Sequence, residues 1–183
     1  MMSDVSAQEV LDFWFSPEVE PNHFSKDDAF DQLIRDRFGP THAAAIEGAL
    51  ESWRENAAGS LALVIVLDQF PRNMFRDDAR AFASDEQARQ VASAVIDQGQ
   101  DQQLSPGERV FLYMPFMHGE SLEVQDRSVA LYQALGIENN LNYAEAHRDV
   151  ISQFGRFPHR NAILGRSSTP EEEAYLAQPG AGF

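Results

Sequence analysis

A chain of 183 residues with no cysteine and a formal net charge of −15 excludes disulfides and thiolate metal sites, and so acidic a surface argues against binding DNA, RNA or anionic lipid. Its apolar fraction of 43% and its 13 phenylalanines are those of a packed globule, of a length suited to one ordinary domain over residues 1–183. Met1-Met2-Ser3-Asp4 has no basic stretch leading into a long apolar one, and the longest apolar run is far short of the roughly 20 residues that span a bilayer, so the chain reads as a soluble cytoplasmic protein.

The first predicted element begins at Ser6-Ala7-Gln8-Glu9, which has capping-box spacing, and carries Val10, Phe13 and Trp14 on one helical face. Ser16-Pro17 stops it. Ser25 is the expected cap of a second helix with Phe30, Leu33, Ile34 and Phe38 inward, and Gly39 its natural end. Pro40 then sits where a first-turn proline belongs, and Ile46, Ala49, Leu50 and Trp53 follow at helical spacing, up to Gly59.

Leu61 to Leu67 is apolar on every side, which predicts burial on every side. Its Val64-Ile65-Val66 core is β-branched, yet no other segment offers a strand partner, so the run reads as helix up to Pro71. A polar knot follows at once, Asp68-Gln69-Phe70-Pro71-Arg72-Asn73. Beyond it, Ser84 caps a helix with Ala88, Val91, Ala92, Val95 and Ile96 inward, closed by Gly99. Ser105-Pro106 opens another, carrying Val110, Phe111, Leu112 and Met114; Pro115 and Gly119 then bound a short connection, Phe116-Met117-His118, and Ser121 to Gly136 frames the next helix. Asn139 or Asn140 is the expected cap of a helix with Ala144, His147, Val150, Ile151 and Phe154 inward, ended by Gly155. A second knot comes next, Phe157-Pro158-His159-Arg160-Asn161, and Thr169-Pro170-Glu171-Glu172 starts a short last helix. Every periodic segment is thus helical, with short connections, and the fold class is all-α, built from stacked antiparallel helix pairs.

Five ordered motifs carry a resemblance: the early Leu-Asp-Phe-Trp-Phe, the knot Leu-Asp-Gln-Phe-Pro-Arg-Asn-Met-Phe-Arg, Ala-Phe-Ala-Ser-Asp, Tyr-Met-Pro-Phe-Met-His-Gly-Glu, and Phe-Gly-Arg-Phe-Pro-His-Arg-Asn. Together they resemble the bacterial domain of unknown function 924 over nearly the whole chain. The resemblance implies an all-α fold in the tetratricopeptide-like superhelical group and brings no activity, substrate or cofactor with it.

The two knots read as parts of one site. No acidic residue occurs from Val150 to Pro170, while Arg156, His159, Arg160 and Arg166 do, a positive window in an acidic chain. If the knots meet, Arg72, Asn73 and Arg76 join it. The ligand set is then Asp68, Gln69, Arg72, Asn73, Arg76, His118, Arg156, Arg160 and Asn161, with guanidinium and amide donors suited to a carboxylate or phosphate. A structural reading stands beside it: both knots follow helix C-termini, where Arg is favoured for its charge and Asn for its turn chemistry. His147, on an apolar helix face, and His159 are the candidates for acid–base chemistry, though a buried His is more often a satisfied core residue. His118, His147 and His159 with Asp68 or Glu120 could ligate zinc, but no His pair has metalloprotease spacing and neighbouring Arg would repel a cation, so no metal and no cofactor is expected. No Gly-x-Ser-x-Gly is present to support a serine nucleophile.

Two functions follow from these residues. In one, the chain binds a small anion in a cleft where the knots meet, with His-assisted proton exchange. In the other, a helical stack presents a concave groove to a peptide or protein partner, and the knots are hinges.

Overall fold

The structure, a computed structural model, describes residues 5–183, so the Met1-Met2-Ser3-Asp4 stretch read above lies outside the described residues. These residues form helices and turns, with no strand among them, which establishes the all-α class. They divide into two compact units: one runs to Arg76 and takes in Arg80–Pro115, the other comprises Asp77–Ala79 and Phe116–Phe183.

In the first unit, α1 (Ala7–Trp14) starts with the predicted capping box. Ser6 accepts from the Glu9 amide, and the Glu9 carboxylate accepts from the Ser6 amide at 2.8 Å. Helix α2 (Asp28–Ile46) departs from expectation at both ends. Asp27, not Ser25, caps it, by accepting from the Phe30 amide, and the helix continues through Gly39-Pro40. Pro40 lacks the amide that would have met the Asp36 carbonyl, but both residues are exposed, so water can serve that carbonyl and the helix survives. The predicted helix over Ile46–Trp53 does not form. The chain turns at Gly48, whose φ of 77° is left-handed, and makes a 3-10 turn over Glu51–Glu55. Ile46, expected inside, is 48% exposed.

Gly59 was expected to end a helix and instead lies in the first turn of one, α3 (Ala57–Val64), where Asn56 caps its amide. A Cβ at Gly59 would lie 2.1 Å from the Trp53 carbonyl oxygen, so the chain can pass that close only at glycine. The predicted apolar run follows: Leu61 to Leu67 is buried throughout, as helix α3 and then a π-helical turn, Ile65–Gln69. Pro71, expected to stop it, lies instead near the start of α4 (Phe70–Met74). The rings of Trp14 and Phe38 pack against Phe70, with Phe38 stacked on it at 4.6 Å and Phe111 edge-on to Trp14. Helix α5 (Asp85–Asp97) buries Ala88, Val91, Ala92 and Val95 as predicted, with Ile96 only half-buried. Helix α6 (Pro106–Met117) runs through Pro115, which therefore bounds nothing.

In the second unit, α7 (Leu122–Leu135) ends at Gly136 in the left-handed conformation, and the Gly136-Ile137 connection folds α8 (Glu138–Phe154) back against it. Helix α8 starts at Ile137 without a side-chain cap, so neither Asn139 nor Asn140 has the predicted role. It ends at Gly155, again left-handed, as expected. Helix α9 (Pro170–Leu176) has Thr169 accepting from the Glu172 amide.

Replacing Gly59 by Ala should lower stability by roughly 1–3 kcal/mol, because the clash is with backbone that cannot swing away; urea unfolding of Gly59→Ala beside wild type measures it.

Candidate functional site

The first knot belongs to the first unit and is shaped by a proline. Pro71 cannot donate to the Leu67 carbonyl four residues back, and the π turn leaves Phe70 donating to Ile65 instead. The Leu67 carbonyl accepts from the Ser84 hydroxyl at 2.6 Å, and the Asp68 carbonyl accepts from Arg72 at 2.6 Å. Ser84 occupies the expected N-cap position of α5 but makes no side-chain cap bond there, because its hydroxyl is turned to the Leu67 carbonyl. Arg72 also forks onto Asp85 at 2.8 and 2.9 Å and lies 3.5 Å from the Asp68 carboxylate. Burial works against the Arg72 charge, but Asp68 and Asp85 outweigh it and hold the guanidinium above its usual pKa. Gln69 donates to Asp68 at 2.7 Å. Asn73 and Arg76 both bind Asp31, Asn73 at 2.8 Å and Arg76 through two bonds of 2.7 and 2.8 Å. The donors assigned to an anion at this knot, Arg72, Asn73 and Arg76, thus each hold a carboxylate of the protein. The knot is a brace tying α2, α4 and α5.

The second knot belongs to the second unit. The Val150–Pro170 window has no acid of its own, but acids from outside it arrive. Arg156 binds Glu172 at 3.0 Å and the Ser167 carbonyl at 2.7 Å. Arg166 forks onto Glu120 at 2.8 and 2.9 Å, and the Phe157 amide donates to the same carboxylate at 2.8 Å. Burial alone would raise the pKa of Glu120; the Arg166 fork and that amide pull it below the usual carboxylate value. Asn161 donates to Glu172 and to the Ser168 hydroxyl and accepts from Arg166. Arg156 and Asn161 are accordingly clamp residues here.

What remains of the predicted set is a cluster of His118, His147, His159 and Arg160. Arg160 is 6% exposed, donates to the His118 carbonyl at 3.1 Å and lies over the Phe157 ring at 4.7 Å. His147 is buried, and its Nδ1 donates to the Tyr143 carbonyl at 2.7 Å, which leaves the lone pair on Nε2. Burial, together with the nearby His118, His159 and Arg160, pushes the His147 imidazole down to about 3 despite that bond. At neutral pH it is a neutral ring with an acceptor nitrogen and the Arg160 guanidinium nearby. Among the described residues, no group of three or more His, Asp or Glu is arranged to hold a metal ion.

Several contributors escaped the sequence reading. Asp31 is an acid on the buried stripe between Phe30 and Ile34, a visible signal. Asp85 entered only as the last residue of Ala-Phe-Ala-Ser-Asp and Glu172 only as an acid at the start of the last helix, whereas their carboxylates bind Arg72 and Arg156. Gln125, fully buried, donates to the carbonyls of Met117 and Gly119 at 2.7 and 2.8 Å, and no spacing marked it.

Fold and site define an all-α protein whose proline-interrupted helices are braced by Arg–carboxylate forks. The chain belongs to the family of bacterial proteins of unknown function DUF924, whose model matches residues 10–180. It is similar, at 47% identity and a TM-score of 0.89, to a protein of unknown function from Agrobacterium tumefaciens, ATU0120, over 94% of this chain and 97% of that one. No curated protein matches it. No helix among the described residues is long and apolar enough to cross a membrane.

Ser84→Ala should cost about 1–3 kcal/mol, because it strands the buried Leu67 carbonyl; urea unfolding reads the loss directly. His147 binds a proton less readily folded than unfolded, so acid favours the unfolded chain. Its effect is nil above about pH 6.5 and grows as pH falls toward 3, by up to about 1.4 kcal/mol per pH unit. His23 and His42, also held low by burial, act with the same sign. Unfolding of His147→Gln between pH 7 and 5 should show a shallower pH slope than wild type, with the contributions of His23 and His42 retained.

Proposed function

We propose that the second unit binds a small organic anion, a carboxylate or phosphate, at the cluster of His118, His147, His159 and Arg160, with His147 as its proton acceptor. The observation that carries this reading is the packing of the buried Arg160 guanidinium, the His147 ring and the His159 ring on Phe157, with His147 presenting a free acceptor nitrogen, Nε2. An incoming anion offsets the Arg160 charge that opposes protonation of His147, so the Nε2 lone pair can take up a proton from solvent as the anion binds. Arg160 supplies a permanent charge at this position, and the Phe157 ring under it keeps the guanidinium plane in place.

The reading departs from a site shared by both knots, because the guanidinium groups of Arg72, Arg76, Arg156 and Arg166 already hold carboxylates. It retains Arg160, His118, His147 and His159 from the residues singled out in the sequence. Calorimetric titration with a panel of carboxylates and phosphates tests it. Arg160→Met should weaken the tightest of them by about tenfold or more, as loss of a charge-assisted bond does, while Arg160→Lys retains part of the affinity. Undiminished binding of every such anion to a folded Arg160→Met variant overturns the proposal.

A further inference from the structure

The cluster already has a neighbour of its own chain. The Phe183 ring lies face to face with the His147 imidazole, centroids 3.6 Å apart and planes 17° from parallel. It meets His159 edge-on, at 6.2 Å and 78°. Phe157 stands edge-on to His147 at 5.6 Å, with centroid 5.6 Å from His159 as well. These rings together form a slot with one flat wall, His147, and one side wall, His159. Phe183 is 53% exposed, so its other side faces solvent.

The segment that brings the ring there is lightly held and shaped by glycine. Gly180 and Gly182 have φ of 76° and 82°, a backbone conformation that other residues rarely adopt. The backbone at Gly182 runs against His159: a Cβ there would meet the His159 Cβ at 3.0 Å. Its amide donates to the Tyr175 hydroxyl at 3.3 Å, and the Ala181 amide to the Gln178 carbonyl at 3.2 Å. Segment 180–183 thus covers two of the cluster's three imidazoles, His147 and His159, through contacts that a competing ring could replace.

Resting on the anion-site reading above, we infer that the ligand is a flat aromatic ring bearing an oxyanion, that this ring stacks on His147, and that Phe183 occupies its place until the ligand displaces it. A flat ring stacks on a neutral imidazole as Phe183 does, whereas a puckered ring of the same size cannot lie at that spacing. The charged group then falls beside Arg160 and His159. Phe183 acts as a self-contained competitor, and its removal frees the slot.

Calorimetric titration of wild type, Phe183→Ala and Arg160→Met with phenylacetate, phenyl phosphate, cyclohexylacetate and inorganic phosphate tests this. The stacked ring gives the His147 proton signal an upfield shift in wild type, which Phe183→Ala should remove. Phenylacetate or phenyl phosphate should bind wild type about tenfold tighter than the matching non-aromatic probe, and Phe183→Ala should tighten it several-fold further. Equal affinity for phenylacetate and cyclohexylacetate overturns the aromatic assignment, while its loss in Arg160→Met leaves the anion site standing. Unchanged or weaker aromatic binding by folded Phe183→Ala overturns the displacement. If none of the four probes binds wild type or Phe183→Ala, the anion site itself falls, and this inference with it.

Discussion

Pro71 carries no amide hydrogen, and it follows directly on an apolar helical run whose side chains from Leu61 to Leu67 are all buried. Water cannot reach a carbonyl freed there, so the missing bond must be replaced by protein. The π turn over Ile65–Gln69 and the Ser84 hydroxyl on the Leu67 carbonyl are that replacement. Arg72, which takes the next carbonyl at Asp68, is drawn inward by the same geometry and needs carboxylates to offset its burial. Asp68 and Asp85 supply them. Much of what makes the first knot look like a ligand site follows from one absent hydrogen. Pro40 shows the contrast: on an exposed helix face, the same absence asks nothing of the neighbouring residues.

In the second unit the organising constraint is charge. A run of basic residues without acids along the chain is not an uncompensated patch when Glu120 and Glu172 fold back onto it. Each of these carboxylates also accepts from uncharged donors, Glu120 from the Phe157 amide and Glu172 from the Asn161 amide, so they shape the turn as well as neutralise it. His147 faces the opposite situation. Burial is the main force against its charge, with His118, His159 and Arg160 adding to it, so it stays neutral with a defined tautomer.

The legible parts of the chain were those where local chemistry is sufficient. The capping box at Ser6 and Glu9, the Gly136 and Gly155 ends, the Thr169-Pro170 start and the burial of Leu61–Leu67 each depend on residues within one or two turns. The illegible parts were those where proline and glycine act differently in different surroundings. Pro40, Pro71 and Pro115 lie within helices, and Gly59 lies in the first turn of one because the Trp53 carbonyl passes beside it. Of the candidate site, His147 and Arg160 could be named from spacing and composition. Phe183 could not, since its stacking on His147 joins positions 36 residues apart in the chain.

By itself, the sequence determined that the chain is all-α, where several of its helices begin or end, and some of the residues that carry its polar chemistry, because hydrophobic periodicity and capping are properties of a few neighbouring residues. Only the tertiary structure decided which acid meets which arginine. That assignment depends on how helices far apart in the chain are laid side by side, which no run of neighbouring residues encodes.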